Sequence, residues 1–261
     1  MHYLLAYATD AGIKKNRNQD SILIKQAVWK GNPVVLSAVC DGMGGLMQGE
    51  VASASLIRAF SGWMDQKLPE LLLRRHTGQA VFRSWRNLLT DMNRRIGAYG
   101  KRYHIQLGTT VTAVLFVKNR YYTVHVGDSR AYEIANRSRQ LTRDQTLVQQ
   151  EMERGNLTRE EAGRDVRRNV LLQCVGASDQ VIPACGTGKI RKDAVYVICS
   201  DGFYRAVRES EMKEALDPGI LKKESVMERR LEDLIRVCRQ RGEQDNISAL
   251  AVRTCKRRDK C

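Results

Sequence analysis

Four times in this chain an apolar run stops at an aspartate: Asp41 after Val39 and Cys40, Asp128 after Val126 and Gly127, Asp201 after Cys199 and Ser200, and Asp245 just ahead of Ile247. Three of the four have a glycine beside them or very near. Carboxylates at the ends of buried strands, with glycine letting the backbone come close, suit oxygen ligation of hard divalent cations. The competing reading is plain: Asp-Gly is a common turn dipeptide, so any one of these aspartates alone reads as a turn.

The apolar runs themselves alternate with helical pattern. Residues 4–8, 21–27 and 33–40 read as strands, and the last is so uniformly apolar that burial on both faces is expected. Two amphipathic helices follow, over 49–66 and 79–99, with Trp63 and Trp85 as packing anchors on their apolar stripes. Next come strands at 109–117, 121–126 and 131–134; their short connections, Lys118-Asn119-Arg120 and Gly127-Asp128-Ser129-Arg130, predict a meander. Residues 141–173 are polar, Arg-rich and weakly helical, and strand character returns at 195–199 and 247–252 around helical segments at 209–216 and 225–241. Strands and helices grouped in this way predict an α+β domain with helices packed on sheets. No internal repeat and no domain boundary interrupts it, so 1–254 reads as a single domain and 255–261 as a charged tail.

A chain of 261 residues is long enough to bury a sizeable core without disulfide or metal staples. Its seven cysteines are an odd count with no C-x-x-C pair, which predicts reduced thiols, mostly in the core. Cys40 and Cys199, close to Asp41 and Asp201, read as small core residues at strand ends. No apolar run approaches the ~18–20 residues that span a bilayer, and the N-terminus has no basic region ahead of its short apolar stretch; a cytoplasmic protein with no membrane role is expected. The formal net charge of +15 raises nucleic-acid binding. The basic residues, however, are scattered in pairs (Arg74-Arg75, Arg94-Arg95, Arg167-Arg168, Arg229-Arg230) with no finger, RNA-recognition or zipper pattern, so that function is not expected.

The company each aspartate keeps resolves the ambiguity. In chain order the signatures are Thr9-Asp10-Ala11-Gly12 leading to Lys15-Asn16-Arg17-Asn18-Gln19-Asp20; Cys40-Asp41-Gly42-Met43-Gly44-Gly45 with Gly49-Glu50; Gly108-Thr109-Thr110; His125-Val126-Gly127-Asp128-Ser129-Arg130-Ala131-Tyr132; Leu141-Thr142-Arg143-Asp144; Arg168-Asn169-Val170 with Gly176; Ser200-Asp201-Gly202; and Gly242-Glu243-Gln244-Asp245-Asn246-Ile247-Ser248. This series resembles the metal-dependent Ser/Thr protein phosphatases of the protein phosphatase 2C family, bacterial type, nearly end to end. The resemblance implies a four-layer αββα sandwich, two antiparallel sheets flanked by helix pairs. It also implies hydrolysis of phosphoserine and phosphothreonine in proteins, in line at phosphorus, by a hydroxide bridging two Mn²⁺ or Mg²⁺ ions. Asp41 is then the bridging carboxylate with the Gly42 carbonyl beside it, Asp201 and Asp245 are further ligands, and Asp20 supports the site through metal-bound water. Asp128, with Asp201, corresponds to the holder of a third, weaker ion. The implied partners are phosphorylated proteins, substrates of a bacterial-type Ser/Thr kinase, met by a monomeric enzyme.

Several positions depart from the pattern. Lys15 stands where the family usually places a phosphate-binding Arg, exchanging a bidentate fork for a point charge; Arg17 is the residue that can compensate. Gln19 replaces a frequent acidic residue and Met43 an animal-type general acid, whose absence costs about 10²-fold where such catalysis operates. His125 is expected in a packed or hydrogen-bonded core role. Residues 144–175 correspond to a mobile flap, with Gln145 in place of a common His and Asp165-Val166 in place of His-Pro. Lys15 and Gln19 also motivate an alternative: a weakly active, phosphoprotein-binding regulatory member of the same fold.

Overall fold

The apolar run at 33–40 lies inside strand β3 (Asn32–Gly44), and its two faces enter two different cores. Val34, Leu36, Ala38 and Cys40 pack toward helices. Val35 and Val39 pack toward a second sheet. The period-2 alternation of a strand makes one residue run serve both layers.

The computed structural model describes residues 2–44 and 48–255. The other strands are β1 (His2–Asp10), β2 (Asp20–Trp29), β4 (Leu107–Thr109), β5 (Val111–Val117), β6 (Arg120–Val126), β7 (Arg130–Ile134), β8 (Ser138–Gln140), β9 (Ala184–Lys189), β10 (Ala194–Cys199) and β11 (Ile247–Cys255). The helices are α1 (Gly49–Gln66), α2 (Leu68–Leu72), α3 (Thr77–Tyr103), α4 (Leu147–Glu153), α5 (Arg159–Arg164), α6 (Asp201–Ala206), α7 (Glu209–Ala215) and α8 (Glu224–Gln240). One sheet has the order β2-β3-β5-β6-β9, with β4 against the end of β3; the other runs β1-β11-β10-β7-β8. The strand pairings within both are antiparallel.

Three cores separate four layers. Between α1–α3 and the six-stranded sheet lie Leu56, Phe60, Trp63, Trp85 and Leu89 with the inner residues of β3 and β5. Trp63 and Trp85 meet at 5.3 Å between ring centroids, and Phe60 lies 6.2 Å from Trp85, a tilted geometry that adds roughly 0.5–1.5 kcal/mol per pair beyond simple burial. Between the sheets, Phe116 touches Tyr3 and Tyr196 at 5.8 and 4.9 Å. Between the five-stranded sheet and α6–α8 lie Phe203, Leu231, Leu234 and the outer residues of β10 and β11. The architecture is the expected αββα sandwich. Cys40 and Cys199 are fully buried in the two outer cores, and Cys40, Cys174, Cys185, Cys199 and Cys238 are free thiols.

The meander expectation fails after β6. β5 and β6 do form a hairpin, but β6 pairs next with β9, whereas β7 pairs with β10 in the opposite sheet. The Gly127-Asp128-Ser129 connection therefore carries the chain from one sheet to the other. Sequence periodicity could not show this, because the neighbour that takes the open edge of β6 is the glycine-bearing segment ACGTGK of β9, which carries no strand-like alternation. Cys255 is buried as the last residue of β11, paired with His2. Gly45 of the glycine-rich motif and residues 256–261 of the tail lie outside the described residues.

Candidate active site

Asp20 opens β2 directly opposite Asp41 in the β2–β3 register, which sets both side chains on one face of the sheet. The backbone of Asp41 is held from the β4–β5 junction: its amide donates to Thr110 Oγ1 at 3.0 Å, and its carbonyl accepts from the Thr110 amide at 2.9 Å and the Thr109 hydroxyl at 3.0 Å. Its carboxylate has no hydrogen-bond or ion-pair partner among the described residues. The next residue has to be glycine, because a Cβ on Gly42 would overlap the carbonyl oxygens of Gly49 and Gln19.

The other sheet supplies the remaining acids. Asp201 is the first residue of α6, just past β10, and Asp245 lies in the turn leading into β11. Ser200 ties the two sheets together at this point: its hydroxyl donates to Asp20 Oδ2 at 2.7 Å and accepts from the Ser248 amide at 3.0 Å. Asn246 fixes the loop that carries Lys15, accepting from the Gln19 amide at 2.9 Å and donating to the carbonyls of Ala11 and Arg17 at 3.0 Å each.

These acids share one repulsive field. Burial, opposed by hydrogen bonds from Ser248 and Ser200 and reinforced by Asp201 and Asp245, pushes Asp20 up to about 7. Burial and the charges of Asp20, Asp201, Asp128 and Asp245 hold Asp41 well above the ordinary carboxylate range. Asp128 is pushed up to about 7 by burial and Asp201. Asp201 is raised by burial and Asp245, against the opposing pull of Arg205. Acids that all resist ionising together are short of positive charge.

Two basic side chains supply part of it. Lys15 Nζ lies 3.3 Å from Asp245 Oδ1, and Arg205 contacts Asp201 Oδ2 at 2.7 Å and Asp128 Oδ2 at 3.4 Å. Among the described residues no three His, Cys, Asp or Glu groups close into a finished cage. The donor set nevertheless fits hard divalent cations: the ligands are all oxygen, and Asp20 Oδ1 and Asp201 Oδ1 are buried with no hydrogen-bond partner. A buried oxygen without a donor is costly unless a cation or proton meets it.

The other predicted residues fall as follows. Lys15 is drawn toward Asp245, and Arg17 pairs with Glu50 at 3.1 Å. Gln19 also reaches Glu50, at 3.5 Å, and Met43 stands in β3 opposite Gly108. His125 is buried between strands, its Nδ1 2.8 Å from Thr112 Oγ1. Because the Thr112 hydroxyl donates to the Ser129 carbonyl at 2.7 Å, the His125 ring must donate from Nδ1, and its Nε2 is buried without a hydrogen-bond partner. Gln145 exchanges backbone bonds with Gly127, its side chain accepting from the Gly127 amide at 2.8 Å and its own amide donating to the Gly127 carbonyl at 2.8 Å. The start of the 144–175 segment is thus anchored beside Asp128. Arg205 and Ser200 had no role assigned from sequence; the signal for Arg205 was its place four residues after Asp201, one helical turn away.

A cleft of about 1450 Å³ opens between α4–α5 and the rim formed by Asp245 and Arg205. Lys14, Lys15, Arg143, Arg159 and Arg168 line it, a surface suited to anions. Its wall is stiffened by Arg130, which makes a bidentate pair with Asp144 at 2.6 and 2.9 Å and lies 3.6 Å over the Tyr204 ring.

Residues 11–250 match the family description Protein phosphatase 2C. The chain is 31% identical over 250 residues to the serine/threonine phosphatase stp of Listeria monocytogenes, with 94% of each covered. It superposes on the S. agalactiae serine/threonine phosphatase with a TM-score of 0.82 at 29% identity, covering 97% of this chain and 100% of that one. The catalytic domain of the serine threonine protein phosphatase PstP, solved in complex with 2 manganese ions, gives a TM-score of 0.77 at 27% identity, covering 98% and 100%. With two such sheets and acids at their shared end, the chain belongs to the protein phosphatase 2C family, whose members are metal-dependent. It is a protein-serine/threonine phosphatase of the bacterial type. Among the described residues no helix is long and apolar enough to cross a membrane.

Proposed function

We propose that this phosphatase works through two divalent cations, Mn²⁺ or Mg²⁺, held by Asp41, Asp201 and Asp245 with the Gly42 carbonyl. The observation that carries this reading is the set of buried acids with raised proton affinity, two of which keep an unpartnered oxygen. When bound, such ions neutralise phosphoryl charge and acidify a water enough for in-line attack at neutral pH, so no covalent enzyme intermediate is required.

The chain's own residues do the rest. Ser200 holds Asp20 in place, so that Asp20 can accept hydrogen bonds from ordered water at the centre. Lys15, with Nζ at the Asp245 edge, meets a phosphoryl oxygen as a point charge, and Arg17 stands two residues on as a second cation. The basic cleft takes the phosphoprotein, with 144–175 as its flap and 1–254 acting as one catalytic domain. Its substrates are products of a Ser/Thr kinase. Nothing at the site favours a binding role without turnover, since the acids named above are all retained.

The test is hydrolysis of para-nitrophenyl phosphate and a phosphothreonine peptide with and without Mn²⁺, on the wild-type chain and on Asp41→Asn. Turnover should require Mn²⁺ and fall at least about 10³-fold in the variant. Metal-independent turnover, or a fully active Asp41→Asn, overturns the reading.

A further inference from the structure

Arg205 sits in the gap between two of the acids. Its Nη1 is 2.7 Å from Asp201 Oδ2 and its Nη2 3.4 Å from Asp128 Oδ2; the arginine side chain is 24% exposed and the two carboxylates 10% and 6%. Helix α6 sets this geometry, since Asp201 is its first residue and Arg205 follows one turn later on the same face. The neighbouring basic side chain, Arg130, is already committed to Asp144 through a bidentate pair. The negative charge between Asp128 and Asp201 is therefore met by one guanidinium, which stays protonated at any working pH and suits partly buried ion pairs because it is weakly hydrated.

The two oxygens of Asp201 divide their work. Oδ2 faces Arg205, whereas Oδ1 is buried without a partner. A divalent ion between Asp128 and Asp201 would have to displace the guanidinium or sit against it, and like charges at contact in a partly buried site repel strongly.

We propose that Arg205 is a resident cation standing in for a metal ion, which closes the Asp128–Asp201 gap and leaves Asp128 outside the metal-holding set. This departs from the third ion that sequence resemblance assigns to Asp128, and it rests on the reading that the remaining acids hold divalent cations. Asp128 then acts as an anchor for Arg205, and through it for α6 and the orientation of Asp201.

The test counts ions directly, by calorimetric titration with Mn²⁺ and by the electron paramagnetic resonance signal of bound Mn²⁺, on the wild-type chain, Asp128→Asn, Arg205→Ala and the double variant. The wild type and Asp128→Asn should bind the same number of ions. Arg205→Ala should gain about one further weak site per chain, which the double variant loses. Loss of an ion in Asp128→Asn, or no gain in a folded Arg205→Ala, overturns the proposal. Should Arg205→Ala fail to fold by circular dichroism, Arg205→Gln keeps the shape without the charge and decides in its place. A wild-type chain that binds no Mn²⁺ overturns the two-ion reading instead, and the Arg205 comparison still decides this one.

Discussion

The hydroxyl of Ser200 reaches Asp20 across 2.7 Å. Ser200 directly follows β10 of one sheet and Asp20 begins β2 of the other, so this hydrogen bond ties the acidic cluster together across the sandwich. Ser200→Ala removes the donor to a buried carboxylate and the acceptor of the Ser248 amide. Stability should fall by about 1–3 kcal/mol and Mn²⁺ affinity by about tenfold, read from urea unfolding and from Mn²⁺ titration of turnover. An unchanged metal dependence would remove Ser200 from the site's framework.

Lys15 competes with cations for Asp245. The pair is half-exposed, at 44% and 39% for the two side chains, so it is worth at most about 1 kcal/mol. Lys15→Ala should therefore improve half-saturation by Mn²⁺ by no more than about fivefold, while raising KM for a phosphopeptide. Lys15→Arg restores the bidentate fork and should lower KM; a KM that stays put would assign phosphate binding to Arg17 or another group.

His125 makes stability depend on pH in a definite direction. Burial lowers it to about 4 from an ordinary value of 6.5. Between those values the unfolded chain binds a proton that the folded chain refuses, so the contribution is fully present above pH 6.5 and is lost as pH falls toward 4. The whole window is worth about 3 kcal/mol. His125→Asn keeps a donor for Thr112 but cannot titrate, and the difference in urea midpoint between wild type and variant should shrink steadily from pH 7 to about 4. A difference that grows toward acid would reverse the assignment.

Gly12 and Gly242 separate backbone strain from damage to the site. Both have left-handed φ, +78° and +81°, but a Cβ on Gly12 would overlap the carbonyl oxygen of Asp245, whereas one on Gly242 meets open space. Alanine at Gly242 should cost only the conformational penalty of about 1 kcal/mol. Alanine at Gly12 should cost more and also weaken Mn²⁺ binding several-fold by pushing Asp245 out of register. Equal metal affinities in the two variants would show that Asp245 has slack.

Sequence pattern was most informative where burial is periodic. The double-faced apolar run of β3 and the tryptophan stripes of α1 and α3 are local signals of which residues face a core. Three features escaped because their cause is tertiary. β9 is a strand through its partner β6 and not through its own residues, and α6 is too short to show a period. The jump between sheets at Gly127-Asp128-Ser129 looks like a hairpin turn until the partners of β6 and β7 are known. At the site, aspartates adjoining strand ends were visible as types in a pattern. What Arg205 and Lys15 do was not, since ion pairing depends on where side chains meet in space.

The placement of β11 has a consequence for how the molecule comes into being. Among the described residues β1 pairs with β11 alone, and β10 reaches β1 only through it, with His2 matched to Cys255 across nearly the whole length of the chain. All strands of the six-stranded sheet precede residue 190, but the five-stranded sheet waits for β11. Pairings so distant in sequence are slow to form. Asp245 arrives with that same segment. A chain that reaches only as far as β10 therefore lacks both the strand that joins β1 to β10 and one of the acids, so closing that sheet and completing the acidic cluster are one event.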